Sequence, residues 1–402
     1  MKKQELRQVI SGSLLIAGTT VGAGMLGIPL LTARAGFWPA MVITLFAWGL
    51  MMWTGLLFLE VTLWMPVGSN LLSMARRFFG KKGQLFAGVM FLFLYYCLLV
   101  AYYAAGAPML SYALSKLFGL EISSVMGFAF FGLLFGGVIS LGAKWIDRTN
   151  LILVTGMVLT YFLLIGVGAP EVDMEKVAFA NWPVSVLALP VLFSAFGYHN
   201  VIPSLTTYFK KNKDPLRLSV VIGSFIPLLI YLVWQLLVIG IIPQEGISEA
   251  LAKGVPVTAA LHGVTGNHWI FRFGQAFAFF AIITSLLGVA FSMVDFLADG
   301  MKVERKGWMR VGLTLLTFFP PFVFVTLKPE VFDQALGVAG GIGEAILNGL
   351  IPVALVWVGR YRRNIEPVLM DRGSSKAVLV LIATLTLFVM VLEVLHLMGL
   401  AG

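Results

Sequence analysis

Apolar stretches of bilayer-spanning length recur along this chain from end to end, with no polar domain between them. A transmembrane helix needs roughly 20 consecutive apolar residues. Candidate spans on that measure run over residues 12–33, 37–64, 84–115, 125–143, 150–169, 184–208, 218–242, 270–297, 310–327, 334–358 and 376–398. A membrane barrel would instead show alternating segments of about ten residues, and these runs are continuous and too long for that. The expectation is therefore an all-α integral membrane protein with eleven transmembrane helices in one membrane domain over residues 1–402. Composition agrees: 59% of the residues are hydrophobic and 12% charged, against about a quarter charged in soluble chains.

Lysine and arginine collect in alternate loops, and cytoplasmic loops hold that excess. Placing the N-terminus inside leaves only Arg34, Lys116, Lys176, Lys253, Arg272 and Lys328 on the outer side. Glu171, Asp173, Glu175, Glu245 and Glu249 gather with them. With an odd number of spans the C-terminus lies outside, periplasmic or extracellular. The net charge of +9 is then loop asymmetry at a membrane, so nucleic acid is not an expected partner. The basic start "MKKQELRQVI" precedes an apolar run too long for a cleavable signal, and the run reads as retained. Cys97 is the single cysteine and makes no metal or disulfide pattern. No P-loop, GxSxG or HExxH pattern is present, so neither an enzyme nor an ATP-driven pump is expected, and no cofactor or obligate protein partner.

The first span contains "AGTTVGAGMLGIPLL", Ala17 to Leu31, with four glycines and a proline. The sixth contains "LPVLFSAFGYHNVIPSL", with Gly197, Tyr198, His199, Asn200 and Pro203. Small residues also mark ordinary helix packing, but two breaks at matching places suggest discontinuous helices of a transporter. Spans 1 and 6 each open a block of five, 12–169 and 184–358, leaving 376–398 over. Five being odd, the second block would be inverted relative to the first. A helix restarted at mid-membrane presents free N–H groups and a dipole that favours an anion. Freed carbonyls suit a cation or an ammonium group, so the breaks fit a zwitterion with a coupling ion.

"AGTTVGAGMLGIPL", "FSAFGYHNVIPSL", "IGSFIPLLIYLVWQ" and "TSLLGVAFSMVDFLAD", in spans 1, 6, 7 and 8, resemble the bacterial aromatic amino acid permeases, the tyrosine- and tryptophan-specific family. The resemblance covers nearly the whole chain. It implies a leucine-transporter-like 5+5 inverted repeat with broken helices 1 and 6 plus an eleventh helix, in the amino acid, polyamine and organocation superfamily. It also implies ion-driven import of an aromatic amino acid, tyrosine first, across the bacterial inner membrane. By position, the substrate carboxylate would meet the backbone around Gly22, Ala23 and Gly24, beside Thr19 and Thr20. The ammonium would meet Phe193, Ser194 and the residues after them, including Gly197. Tyr96, Tyr103, Phe193 and Phe196 are candidates for the side-chain slot, which needs an apolar wall and a polar tip contact.

Three sites compete to couple the ion. Ala281, Thr284 and Ser285, with carbonyls of Gly18 and Val21, resemble the sodium site of sodium-coupled relatives, although such hydroxyls also bond back to their own helix. His199 is a reasonable proton carrier. Glu344, with Glu60 as the other carboxyl deep in a span, is a functional candidate by its cost in the bilayer. The family is thought of as proton-driven, but the lysine expected in span 5 of many proton-coupled relatives is missing from "NLILVTGMVLTYFLLIGVG". A sodium-coupled or exchange transporter of another neutral amino acid, and a receptor that binds without transporting, are the alternatives.

Overall fold

A computed structural model describes residues 3–22, 24–119, 121–252 and 257–400, and their regular structure is entirely helical. The first span is two helices, α1 (Lys3–Thr20) and α2 (Gly24–Ala33), bent by 63° across a break. Then come α3 (Phe37–Trp64), α4 (Leu71–Phe118), α5 (Ser124–Leu141) and α6 (Ala143–Gly168). Two short helices, α7 (Met174–Val177) and α8 (Trp182–Ser185), lead to the sixth span, whose halves are α9 (Leu189–Ala195) and α10 (Ile202–Tyr208). They are followed by α11 (Lys213–Ile241), a connector of α12 (Gln244–Ala252) and α13 (Val257–Thr265), then α14 (His268–Met301) and α15 (Gly307–Leu327). The tenth span runs as α16 (Phe332–Val338), a π-helical stretch Ala339–Leu350 and α17 (Ile351–Arg362), and α18 (Lys376–Leu397) closes the chain. Among the described residues, ten helices are long and apolar enough to cross a bilayer, and eleven spans result if the bent first pair counts as one.

The breaks are where the sequence places them, and one boundary is not. The third span is read from residue 84, yet α4 begins at Leu71. Asn70 and Ser73 form a capping box at its start, and Gly80, at φ 75° and ψ −166°, divides a surface helix from the span proper. Arg76 and Arg77 within that first part, and Lys81 and Lys82 just past the break, keep the stretch polar, which hides its helicity from hydropathy. The connector between spans 7 and 8 contains the short helices α12 and α13.

Packing between spans follows a rule of exchange in which 1–5 map onto 6–10. Span 1 packs on span 7 (α1 on α11), and span 6 packs on span 2 (α9 on α3). Span 3 packs on span 10, and span 8 on span 5; span 3 meets span 4, and span 8 meets span 9. This is the contact pattern of two structurally related halves. Among the described residues, the close packing of span 6 on span 10 has no comparably close counterpart between spans 1 and 5. That asymmetry leaves one end tight and the other end loose.

The tight end is built on small residues. A Cβ placed on Gly24 would lie 2.8 Å from the Cβ of Ala195, so α2 and α9 touch backbone to backbone. A Cβ on Gly340 would fall 1.8 Å from the Pro190 carbonyl oxygen, which seats the π-helical stretch against α9. The loose end carries most of the basic loops and is called the basic end below. There, cations satisfy helix carbonyls left without partners. Lys211 donates to the carbonyls of Leu63 and Met65 at the end of α3, and Arg363 to those of Arg77 and Phe78 just before the Gly80 break.

Candidate functional site

The two breaks meet on a cavity of about 390 Å³, a size suited to a small-molecule ligand. It continues from mid-molecule to the basic end, where Gly68 to Leu72, Asp295 and Asp299 form its mouth. A second cavity, about 930 Å³, lies beyond the tight contact at the far end.

Span 1 contributes Thr19, Thr20, Gly22 and Gly24 to the inner cavity. Ala23 lies outside the described residues. The α1 helix ends because the chain turns at Val21, whose N–H still reaches the Ala17 carbonyl, and restarts with Met25 N–H on the Gly22 carbonyl. Thr19 and Thr20 donate their hydroxyl protons to Leu15 and Ile16, one turn back on α1, so only their oxygen lone pairs face a ligand. The Thr20 carbonyl lies 2.8 Å from the Tyr231 hydroxyl, and the Ala195 carbonyl at the end of α9 lies 2.9 Å from the same group. A phenol has one proton to give, so this single donor is shared between the ends of both broken helices.

Span 6 contributes Ser194, Gly197, His199, Asn200, Pro203 and Ser204. His199 is 1% exposed, and its Nε2 lies 3.0 Å from Thr54 Oγ1. Thr54 gives its own proton to the Met51 carbonyl, so Nε2–H donates to the threonine and Nδ1 is left as the acceptor. Nδ1 has no hydrogen-bond partner. The ring stacks on Tyr198 at 5.0 Å between centroids.

Glu344 lines the cavity from the π-helical stretch and takes a hydrogen bond from Asn348, one turn on. It packs where a Cβ on Gly197 would stand, 2.4 Å from its Oε1, so the break in span 6 makes room for the carboxyl. Among the described residues, no lysine or arginine lines this cavity. At its mouth Arg305, in the loop after α14, binds Asp295 at 2.9 Å and Asp299 at 2.6 Å. Partial burial works against the charge on Arg305, but the two carboxylates outweigh it and hold the guanidinium above its ordinary range.

Ser285 meets the first break directly: a Cβ on Gly22 would lie 1.9 Å from its hydroxyl oxygen. Thr284 donates to the Ala281 carbonyl on its own helix, 3.0 Å away. Ala281 and Val21 are buried beside Ser285 and the break, while Gly18 lies on an exposed face of α1. Neither Ala281, Thr284, Val21 nor Gly18 lines the cavity.

Other candidates are placed elsewhere. Tyr96 reaches out to the Leu316 carbonyl at 2.9 Å. Tyr103 is buried in a cluster with Phe131 and Phe318. Phe193 and Phe196 are fully buried, Phe196 edge-on to Tyr231, and neither faces the cavity. Glu60 is fully buried near the basic end. Its two oxygens accept from the backbone N–H groups of Val368, Leu369 and Met370 at 2.6, 2.6 and 3.1 Å. These bonds satisfy the carboxylate and clamp the loop between spans 10 and 11.

The tyrosines that do line the cavity are Tyr95 and Tyr102, one residue before each of the two named from sequence. Tyr95 approaches Asn200 and Ser292, and Tyr102 approaches Ser285. Phe91 stacks between Tyr95 and Phe296, at 4.0 and 4.3 Å, and forms an aromatic wall toward the mouth. Leu94, Leu98, Val289 and Leu347 complete the apolar surface. The stripe Phe91, Tyr95, Leu98, Tyr102 has helical spacing and is a signal in the sequence, but the stripe through Tyr96 and Tyr103 has the same spacing.

A model of the tryptophan/tyrosine permease family matches residues 5–392. The Tyrosine-specific transport system 1 of Haemophilus influenzae is 32% identical over 383 residues, covering 94% of each chain. A tryptophan-specific transport protein of Pseudomonas aeruginosa is 30% identical, covering 93% of this chain and 91% of its own. Among solved structures, MhsT in complex with L-phenylalanine superposes with a TM-score of 0.65 at 14% identity over 97% of this chain and 98% of its own. That likeness establishes a leucine-transporter-like fold.

Proposed function

The chain belongs to the tryptophan/tyrosine permease family, and on that premise we propose that it imports an aromatic amino acid by proton symport, tyrosine first and tryptophan or phenylalanine behind it. The observation that carries this reading is the inner cavity itself. It joins both helix breaks, has an aromatic wall, and among its described lining residues offers a carboxylate no lysine or arginine. An anion there relies on the backbone N–H groups that open α2 and on the dipole of that helix. The ammonium of the same molecule is met by the carbonyl and hydroxyl oxygens around Ser194 at the end of α9. The ring lies along Phe91, Leu94, Tyr95 and Leu98, where Asn200 and Ser292 are available to a phenolic hydroxyl.

With the basic end on the cytoplasmic side, the cavity opens inward and the tight contact of α2, α9 and the tenth span is the closed outer gate. Alternating access then consists of parting that contact while the basic end closes. Protons are carried by the groups in the cavity that lack a fixed cation, Glu344 with its Asn348 partner and His199 with its free Nδ1.

Reconstituted vesicles test the proposal in one series. Tyrosine uptake is expected to follow an imposed inward pH gradient in sodium-free medium, and competition across the twenty amino acids should single out the aromatic ones. A strict sodium requirement would refute proton coupling and move the ion to the Ser285 and Thr284 side of the first break. Binding without counterflow would refute transport.

A further inference from the structure

Glu393, in α18, is a second deeply buried carboxyl near the tenth span that neither the substrate cavity nor the fold accounts for. It is 2% exposed, lines the far-end cavity of about 930 Å³, and its Oε1 has no hydrogen-bond partner. Glu60 shows how this protein treats a structural glutamate: both oxygens accept backbone N–H bonds. Glu393 has been given space instead. A Cβ on Gly337 would stand 2.9 Å from Oε1, and one on Gly341 2.5 Å from the Glu393 Cβ, so two glycines of the tenth span form the floor under the side chain.

That floor leads to the substrate site. Gly340, beside Gly341, touches the Pro190 carbonyl and the Ser194 N–H of α9. Glu344, about one turn along the same stretch, lines the inner cavity. The two carboxyls therefore stand on opposite sides of one partition, made by α9 and the tenth span, each facing the cavity on its own side.

The ionisable groups around Glu393 are of both signs. Its own helix presents His396, one turn away, which also lines the cavity. The tenth span and the loop before it present Asp333 and Glu330, and Arg34 enters from the end of α2. The faces of α9 and α4 on this cavity, including Pro190, Val191, Ala104 and Pro108, carry no ionisable side chain. The cations of α17 and the loop before α18 belong to the basic end, where Arg360 pairs with Asp371. A buried carboxyl with an unbonded oxygen is costly when ionised, and retaining one in a cavity lining suits a group that takes up and releases a proton.

We propose that Glu393 is the proton-loading site of the far-end cavity. Its carboxylate takes one proton from the outer medium to become the acid. When the partition rearranges, that proton passes to the Glu344 carboxylate, and the Glu393 carboxylate is restored. This inference rests on the proton-symport reading above.

The test uses the full-length protein in vesicles loaded with a pH-sensitive dye, following labelled tyrosine and internal pH together. The wild-type arm comes first: accumulation indifferent to the pH gradient defeats the symport reading itself, whatever Glu393 does. Given a gradient-driven wild type, Glu393→Gln should lose roughly tenfold of tyrosine accumulation and tyrosine-dependent proton influx, with tyrosine exchange at equal pH much less affected. Wild-type accumulation in that variant overturns the proposal, and so does equal loss of exchange and accumulation, which marks a structural role. If the variant fails to bind tyrosine in detergent, Glu393→Asp replaces it, since it keeps a carboxyl retracted by one methylene. Its accumulation against external pH should then be displaced from the wild-type profile, and an unshifted profile overturns the proposal.

Discussion

The contact between Gly24 and Ala195 lets one substitution probe both the gate and the binding site. A Cβ at Gly24 would lie 2.8 Å from the Ala195 Cβ, 2.9 Å from its Cα and 3.4 Å from its N. Apolar carbons pack at about 3.5–4.0 Å, so Gly24→Ala requires α2 and α9 to part by about 1 Å. Overpacking of this kind costs about 1–3 kcal/mol. Here the cost falls on the arrangement in which the far end is closed and is relieved when the helices separate. A bias of that size shifts the equilibrium between the two arrangements by about 5- to 150-fold. Gly24→Ala should therefore slow tyrosine uptake within that range, and Gly24→Leu, whose larger side chain also enters the cavity, should abolish it. Uptake is measured with labelled tyrosine in whole cells, and insertion by the amount of protein in the membrane fraction, which should stay at the wild-type level. Adding Ala195→Gly to Gly24→Ala removes the 2.8 Å contact but leaves the 2.9 Å one, so rescue should be partial. Wild-type uptake by an inserted Gly24→Leu protein would refute both the gate and the carboxylate site at the first break.

Two further perturbations separate cavity from scaffold. Tyr95→Phe removes a hydroxyl near Asn200 and Ser292; a net hydrogen bond is worth about 0.5–1.5 kcal/mol, so KM for tyrosine should rise roughly two- to twelvefold. Tyr96→Phe loses only its bond to Leu316 and should leave KM unchanged; the reverse order in uptake assays would contradict the cavity assignment. Glu60→Ala strands three backbone N–H groups and should cost about 3 kcal/mol or more of stability, read as a lowered melting temperature in detergent. An unchanged melt would mean the loop between spans 10 and 11 is held by other bonds.

The legible part of the fold is what each residue's solvent preference and backbone freedom specify without knowledge of its neighbours. Eleven apolar runs predict eleven spans because the bilayer sets their length. The glycines of span 1 and the Gly197 to Pro203 segment of span 6 mark breaks because a helix cannot run through them unchanged. The surface helix at the start of α4 escapes notice because it carries its charges on a short segment next to a span.

Within the site, the sequence names the segments but not the faces. Tyr95 and Tyr102 are seven residues apart, as are Tyr96 and Tyr103, and both pairs recur on one side of a helix. Only the packing of α4 against the tenth span, α14 and α15 turns the first pair to the cavity and the second away. Glu60, Glu344 and Glu393 are each a lone carboxyl in an apolar run. Tertiary structure alone gives the first three N–H donors from a loop about 300 residues on, the second a cavity beside the broken span 6, and the third an unpartnered oxygen over two glycines. The physical reason is the range of the forces. Hydrophobicity and backbone conformation act residue by residue and are written locally, whereas the role of a buried polar group depends on which remote donor reaches it.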